Sequence, residues 1–311
     1  AGKSTLLNRL VGEKLAIVSD KPQTTRTRIV GVRRFPEGEV VFIDTPGIHR
    51  PLHRLNVRMV DAALDSLRDA DVVLAVVDAS EPGGAGDRYL MDIVRKARAT
   101  RVLALNKVDR ADKLALLPRI GAYQDVGFAD IVPVSALTGE NVERLERVLL
   151  GHLPEGEPLY PEDHLTDQPE RFFVAELVRE QVLAHTHDEL PFSTAVVVDK
   201  FEEGPLLRLY CTILVERASQ KPILIGKGGA AIKAIGTAAR QELERFFQTR
   251  VYLDLHVKVR EGWREDERTL DELGRQVDEL SAHSINAYLD EHPPSDFTFA
   301  TLGPQALKIP A

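Results

Sequence analysis

Basic charge, cysteine and long apolar runs are all scarce in this chain of 311 residues, and each scarcity excludes something. With 40 Lys and Arg against 48 Asp and Glu, the formal charge is −8, which argues against indiscriminate attraction to nucleic acid. The only cysteine, Cys211, can form no internal disulfide, which suits a reducing compartment. In a strand-like run it reads as small apolar filler. No apolar run approaches the roughly 18 residues of a membrane span. The best, Val72 to Val77, has the length of a core strand, so a soluble protein is expected. No internal repeat is apparent, and the length suggests about two domains at roughly 100–200 residues each.

What basic charge there is lies in one place. From Arg217 to Arg264 there are ten Lys or Arg against four acids, a local excess of +6 that leaves −14 for the rest of the chain. Such a patch inside an acidic protein is the footprint of a phosphate-backbone binder.

Between residues 4 and 150, short apolar runs (39–43, 72–77, 102–105, 131–134) alternate with runs of helical periodicity (4–11, 56–68, 88–97, 142–150). The alternation predicts a parallel sheet with helices on both faces. Residues 151–170 turn polar and Pro-rich and read as an interdomain linker. Beyond it come a helix (172–184), two strands (194–201 and 206–216), a glycine loop, a helix (230–247) and a strand (251–259), the order of a type II KH-like domain. Residues 266–291 look helical and charged, and Pro293 onward reads as a tail.

Four strings in the first half form a series. Gly2-Lys3-Ser4-Thr5 is the end of a phosphate-loop pattern, G-x-x-x-x-G-K-[ST], whose first glycine would fall before residue 1. The N-terminus is therefore expected to be missing, and the lack of a signal peptide carries no message. Glycine lets backbone amides reach a phosphate, and the helix that follows lends its positive end. Lys3 supplies a cation and Ser4 a magnesium-binding hydroxyl. In Asp44-Thr45-Pro46-Gly47, Asp44 can hold magnesium through water and the Gly47 amide can sense a γ-phosphate. In Asn106-Lys107-Val108-Asp109, the Asp109 carboxylate can accept both N1–H and the exocyclic amino group of guanine, a donor pair that adenine lacks. Ser135-Ala136 would bring a backbone amide to guanine O6. Asp44, Asp78 and Asn106 each end an apolar run, where ligands of open α/β sheets collect.

Residues 22–28 are polar and precede a strand, so a threonine there, Thr24 or Thr25, can complete a magnesium shell. Ile48 follows Gly47 where many switch GTPases carry a water-orienting glutamine, so slow intrinsic turnover is expected from positioning, magnesium and Lys3. His49 and His53 read as loop histidines rather than bases.

In the second half, Gly226-Lys227-Gly228-Gly229 lies between two helical runs. This Gly-x-x-Gly arrangement lets a nucleic-acid backbone approach closely, and Lys227, with Lys221 and Lys233 nearby, adds phosphate contacts. Ile223, Leu224, Ile225, Ile232 and Ile235 are expected to pack the supporting helices, and Phe246, Phe247 and Tyr252 read as core.

These strings resemble the Era family of bacterial ribosome-assembly GTPases. The resemblance rests on Lys21-Pro22-Gln23-Thr24-Thr25-Arg26, the 44–47 and 106–109 motifs, and above all residues 219–229, Ser-Gln-Lys-Pro-Ile-Leu-Ile-Gly-Lys-Gly-Gly, with Trp263-Arg264 and Asp266-Glu267. It spans about residues 1–275. It implies an α/β P-loop GTPase domain, N-terminally truncated, over 1–150, a linker over 151–170, an α+β type II KH-like domain over 171–275, and an extension over 276–311. It implies GTP binding by Gly2, Lys3, Ser4, Thr5, Asp44, Gly47, Asn106, Lys107, Asp109, Ser135 and Ala136, with catalysis by Lys3, Thr25 and Gly47. Magnesium would be held by Ser4, Thr25 and Asp44, Thr25 being favoured over Thr24 by the resemblance. An asparagine used for potassium would precede residue 1. It further implies binding of the 3′ end of 16S ribosomal RNA, a role in small-subunit maturation, and a cytoplasmic location with peripheral association with the inner membrane. The alternative is an RNA-binding module with an inactive nucleotide domain.

Overall fold

The structure, a computed structural model, describes residues 1–21, 23–48, 53–187 and 189–278. The first half runs α1 (Lys3–Val11), β1 (Ile29–Phe35), β2 (Gly38–Asp44), α2 (Arg54–Arg68), β3 (Val72–Asp78), α3 (Ala85–Val94), β4 (Thr100–Asn106), α4 (Lys113–Ala122), β5 (Asp130–Pro133) and α5 (Val142–His152). The second half runs α6 (Glu170–His185), β6 (Thr194–Glu202), β7 (Leu207–Val215), α7 (Gln220–Ile225), α8 (Ala230–Phe247), β8 (Val251–Val259) and α9 (Glu267–Asp278).

Strands β3, β4 and β5 form a parallel sheet in that order, with Asp78 beside Asn106 at its carboxyl end. The period-2 pleat explains why their sequences are apolar almost throughout. Val76, Val102 and Ala104 face one layer, with Leu6 and Leu10 of α1 and Leu145 and Leu149 of α5. Val77, Leu103 and Leu105 face the other, with Met91 and Val94 of α3. Both faces are thus buried, as helix-covered parallel strands require. Each fully buried leucine contributes about 1.5–3 kcal/mol.

The single parallel sheet expected from the alternation needs correction. Strand β2 pairs with β1 instead, antiparallel, from Ile29–Asp44 to Phe35–Gly38, as a separate two-stranded sheet. Only Pro36 and Glu37 separate the two strands, and so short a turn permits only antiparallel pairing. Helix α4 was not foreseen from the sequence. Leu116 and Ile120 pack on the core, but Leu114 and Leu117 are 87% and 77% exposed, so apolar residues fall on both sides of the helix and blur its periodicity.

The Pro-rich segment after α5 lies along the hairpin. Val32 N–H donates to Leu165 O (2.8 Å), Thr166 Oγ1 to Val30 O (2.6 Å) and Gln168 Nε2 to Arg28 O (3.1 Å), so the outer edge of β1 is covered by one backbone and two side-chain hydrogen bonds.

In the second half β7 lies between β6, antiparallel, and β8, parallel. One sheet face packs on α6, α7 and α8 through Leu177, Val178, Ile213, Leu224, Ile235 and Leu243. Cys211 lies in this core, its thiol pushed up to about 12 by burial, with Asp199 and Asp254 adding to the shift. Tyr252 needs correction. Alternation along β8 turns it to the opposite face, where it is 47% exposed beside Tyr210. Phe246 stacks on Phe173 and Phe247 lies edge-on to Phe201, both partly buried against the core. The helical expectation over 266–291 is met to Asp278; the rest, and the tail, lie outside the described residues.

Candidate functional site: a phosphate and guanine cradle beside a glycine clamp

Helix α1 begins at Gly2, whose φ of 82° is left-handed and whose missing side chain is also a steric need. A Cβ there would lie 2.6 Å from Asn106 Nδ2. The close approach joins the first motif to the third: Asn106 Nδ2 donates to Ala1 O (2.9 Å), and its Oδ1 accepts the Ala136 amide (2.9 Å). Asn106, 1% exposed, is thus a bracket between the phosphate loop and the guanine loop. The Ala136 amide already has an acceptor here, so a guanine O6 must share it or displace Asn106.

Ser4 Oγ, Thr25 Oγ1 and Asp44 Oδ2 form a triangle with edges of 2.7, 2.8 and 3.2 Å. Octahedral magnesium with bonds of about 2.1 Å has neighbouring oxygens about 3 Å apart, so the triangle has the size of one octahedral face. All three residues are buried. Burial raises the Asp44 carboxyl above its ordinary value, while Lys3 and the Ser4 and Thr25 hydroxyls pull the other way. Thr24 turns aside, its hydroxyl donating to Lys21 O (2.8 Å). Lys3 Nζ lies 3.7 Å from where a Gly47 Cβ would sit, so the cation and the γ-phosphate sensor are adjacent. Thr5 lies on the first turn of the same helix.

At the other end, Ser135 Oγ donates to Asp109 Oδ1 (2.6 Å) and so fixes the carboxylate expected from the sequence to read guanine. Lys107 is held in a left-handed turn (φ 65°), with Nζ 2.5 Å from Asp78 Oδ2. Burial works to raise the Asp78 carboxyl, but hydrogen bonds from Lys107 and Ser80 prevail and hold it at about 2. Arg9 Nε donates to Ala136 O (3.0 Å) and buttresses the guanine loop from α1. Arg9 was not foreseen, because nothing in a basic residue on a helix announces a distant carbonyl. His53 bonds through Nδ1 to Glu265 Oε1 (2.7 Å) in the second half, and His49 lies outside the described residues.

The glycine loop joins α7 to α8. Gly226, Gly228 and Gly229 all have positive φ (74°, 61° and 80°), which leaves Lys227 exposed at its tip. Leu224 and Ile235 are fully buried and Ile225 and Ile232 partly so, whereas Ile223 is 62% exposed and supports no packing. Arg240, Arg245, Arg260 and Arg264 are all paired with acids. Lys221, Lys227 and Lys233 have no ion pair among the described residues, and neither do Arg250 and Lys258, so uncompensated positive charge surrounds the loop and extends to β8.

The two sites are wired together. Arg179 on α6, 2% exposed, pairs bidentately with Glu176 (2.7 and 2.5 Å) and donates to Thr24 O. Arg26 Nη1 donates to Thr194 O (2.6 Å), and Val18 N–H to Glu180 Oε1 (2.9 Å). On the far side, His53–Glu265, Arg54–Glu267 and Arg58–Asp271 tie α2 to the segment around α9. Leu7, Val11 and Ile29 share an apolar seam with Phe172 and Phe173. The segment carrying Thr25 thus touches the second half directly. The only sequence sign was that Glu176, Arg179 and Glu180 interrupt the apolar residues of a helical run, which does not name their partners.

A phosphate-binding helix end, an oxygen triangle and a guanine carboxylate on an α/β sheet, followed by a helix–glycine loop–helix, define a GTPase joined to a KH domain. Residues 1–107 match the family described as 50S ribosome-binding GTPase, and residues 189–264 match the KH domain family. The chain belongs to the Era family of GTPases. It is 51% identical over 277 residues to GTPase Era of Geobacter metallireducens, covering 88% of this chain and 93% of that one. It is 47% identical over 277 residues to GTPase Era of Syntrophus aciditrophicus, covering 88% and 90%. A crystal structure of Aquifex aeolicus Era bound to GDP·AlF4− superposes with a TM-score of 0.84 at 40% identity, covering 88% of this chain and 94% of the other. A structure of Era with MgGDPNP and nucleotides 1506–1542 of 16S ribosomal RNA gives 0.85 at 40% identity, with the same coverage.

Proposed function

We propose that this GTPase binds the 3′ end of 16S ribosomal RNA through its glycine loop and assists small-subunit assembly, with GTP hydrolysis in the first half governing the RNA grip of the second. The observation that carries the reading is the direct contact between the Thr25 segment and α6, through the Arg179–Thr24 hydrogen bond. Support for the RNA comes from the relative crystallised with nucleotides 1506–1542 and from the uncompensated lysines around Gly226–Gly229.

In the hydrolytic step the amides at the start of α1, from Gly2 to Thr5, and the Lys3 ammonium hold the β- and γ-phosphates. The Gly47 amide contacts the γ-phosphate. Asp109 reads the guanine edge, fixed by Ser135, while Asn106 and Lys107 hold the loop against the phosphate cradle. Ser4, Thr25 and Asp44 would hold magnesium, which would neutralise negative charge on the phosphates. Ile48 offers no hydrogen bond to an attacking water, so turnover is slow and rests on electrostatic positioning.

The place of action is the cytoplasm, with peripheral association with the inner membrane. Among the described residues no helix is long and apolar enough to cross a membrane. Cosedimentation with anionic vesicles tests the association, and its absence removes that part.

Two substitutions separate the halves. Gly228→Asp with Gly229→Asp places two carboxylates against the RNA phosphates and is expected to abolish binding of a 16S 3′-end oligonucleotide while leaving GTP binding intact. Lys3→Ala is expected to abolish turnover and to leave a chain that still binds RNA, with an affinity that no longer changes between GTP and GDP. Loss of both activities in either variant contradicts the division of labour.

A further inference from the structure

Between the two halves lies a cleft of about 550 Å³, within the roughly 300–1,000 Å³ range of small-molecule sites, which favour domain interfaces. Its wall is mostly apolar, with Phe172, Trp263 and Leu270 prominent. Its charges are not balanced. The acids of the lining are already engaged: Glu176 by Arg179, and Asp167 by Tyr160 (2.9 Å) and His164 (2.8 Å). Arg58 is paired with Asp271. Arg26 and Arg28, also in the lining, have no carboxylate partner among the described residues. Arg26 is held only by the carbonyls of Thr194, Pro191 and Phe192, with its guanidinium 5.8 Å from the Trp263 ring.

We propose that this cleft binds a small amphipathic anion, an apolar body of about one or two rings carrying a single phosphate or carboxylate. The anionic group would sit against Arg26 and Arg28, and the body against Phe172, Trp263 and Leu270. Two further observations point the same way. Arg179 Nη1 and Gln168 Oε1, both on lining residues, are buried with no hydrogen-bond partner among the described residues, a condition rare enough in native proteins to require a partner. The Arg26 guanidinium is enclosed among three backbone carbonyls with no carboxylate in ion-pair range among the described residues, so a bound anion would supply the counter-charge it lacks. Arg26 follows Thr25 in the chain and Arg179 holds Thr24, so an occupant would touch both the magnesium-site loop and the start of β6.

The test is calorimetric titration of the full chain with 1-naphthyl phosphate in excess GDP and magnesium, which fill the phosphate cradle. Inorganic phosphate and 1-naphthol serve as half-ligands. The expected result is one site per chain, bound on the order of tenfold or more tightly than either half-ligand. Arg26→Met removes the charge. Gly274→Leu fills the cleft from α9, where an added Cβ meets nothing within 4 Å, so at least one variant should keep its fold. Each variant that keeps a wild-type unfolding temperature is expected to weaken binding about tenfold. No binding, affinity equal to that of inorganic phosphate, or binding that survives in the folded variants overturns the site.

Discussion

Replacing Gly226 by alanine is expected to damage the second half far more than the same change at Gly228, although all three glycines of the loop belong to one motif. Gly226 has φ 74° and ψ 171°, a region open essentially to glycine alone, and forcing alanine into it costs about 1–3 kcal/mol. Its Cβ would also lie 2.8 Å from both the amide nitrogen and the Cβ of Ala231, at the start of α8. Backbone cannot swing aside as a side-chain tip can, so overpacking adds about 1–3 kcal/mol. Together these give about 3 kcal/mol. Gly228 has φ 61° and ψ 23°, and a Cβ there meets nothing within 4 Å. Its alanine costs only about 1 kcal/mol for the left-handed conformation. Urea unfolding followed by the fluorescence of Trp263 measures the difference. This tryptophan is the only one in the chain, fully buried, with Nε1 donating to Ser193 O (3.0 Å) beside β6. Gly226→Ala is expected to be less stable than Gly228→Ala by about 2 kcal/mol. Equal midpoints for the two variants would refute the steric account of the loop.

Asp109→Asn removes the charge that accepts two guanine donors, and fluorescent GDP binding is expected to weaken roughly 10–100-fold; unchanged affinity would show that Asp109 does not read the base. Asp78, at about 2 when folded against an ordinary 3.8, adds stability that is present above about pH 4 and lost as pH falls through 2, worth at most about 2 kcal/mol. The stability gap between wild type and Asp78→Asn should therefore close between about pH 4 and pH 2 in urea titrations, and a pH-independent gap would contradict the Lys107 pairing. Arg179→Met strands the Glu176 carboxylate, 16% exposed, and is expected to cost about 3–5 kcal/mol. The double variant Glu176→Leu/Arg179→Met should recover much of that loss by the same unfolding assay, because neither member of the ion pair is left without the other.

Legibility from sequence followed the range of the forces involved. Strands β3 and β4 announced themselves because apolar runs buried on both faces need no partner to be recognised, and α8 and β8 were readable to the residue from their period. Strand β2 was misread as part of the parallel sheet, since its direction is set by a two-residue turn from β1 and an apolar run carries no direction. Helix α4 was hidden by its exposed leucines, and Tyr252 by the assumption that aromatics go inward. At the site, the motifs named Ser4, Asp44, Asn106 and Asp109, whose chemistry is fixed by residue type, while only the family resemblance favoured Thr25 over Thr24. The groups that aim them, Arg9 on the guanine loop and Arg26 and Arg179 on the Thr25 segment, reach backbone carbonyls more than a hundred residues away, and no local pattern encodes such a contact.

The central claim is that nucleotide hydrolysis and RNA grip share one mechanical connection through Thr24, Arg179 and Arg26. GTP turnover in saturating magnesium, with and without an RNA bearing the 3′ end of 16S ribosomal RNA, tests it most directly when wild type is compared with Arg179→Met. RNA is expected to change the turnover of the wild type and to leave that of a folded Arg179→Met protein nearly unaltered. Turnover indifferent to bound RNA in the wild type would contradict it, leaving a GTPase and an RNA clamp that merely share a chain.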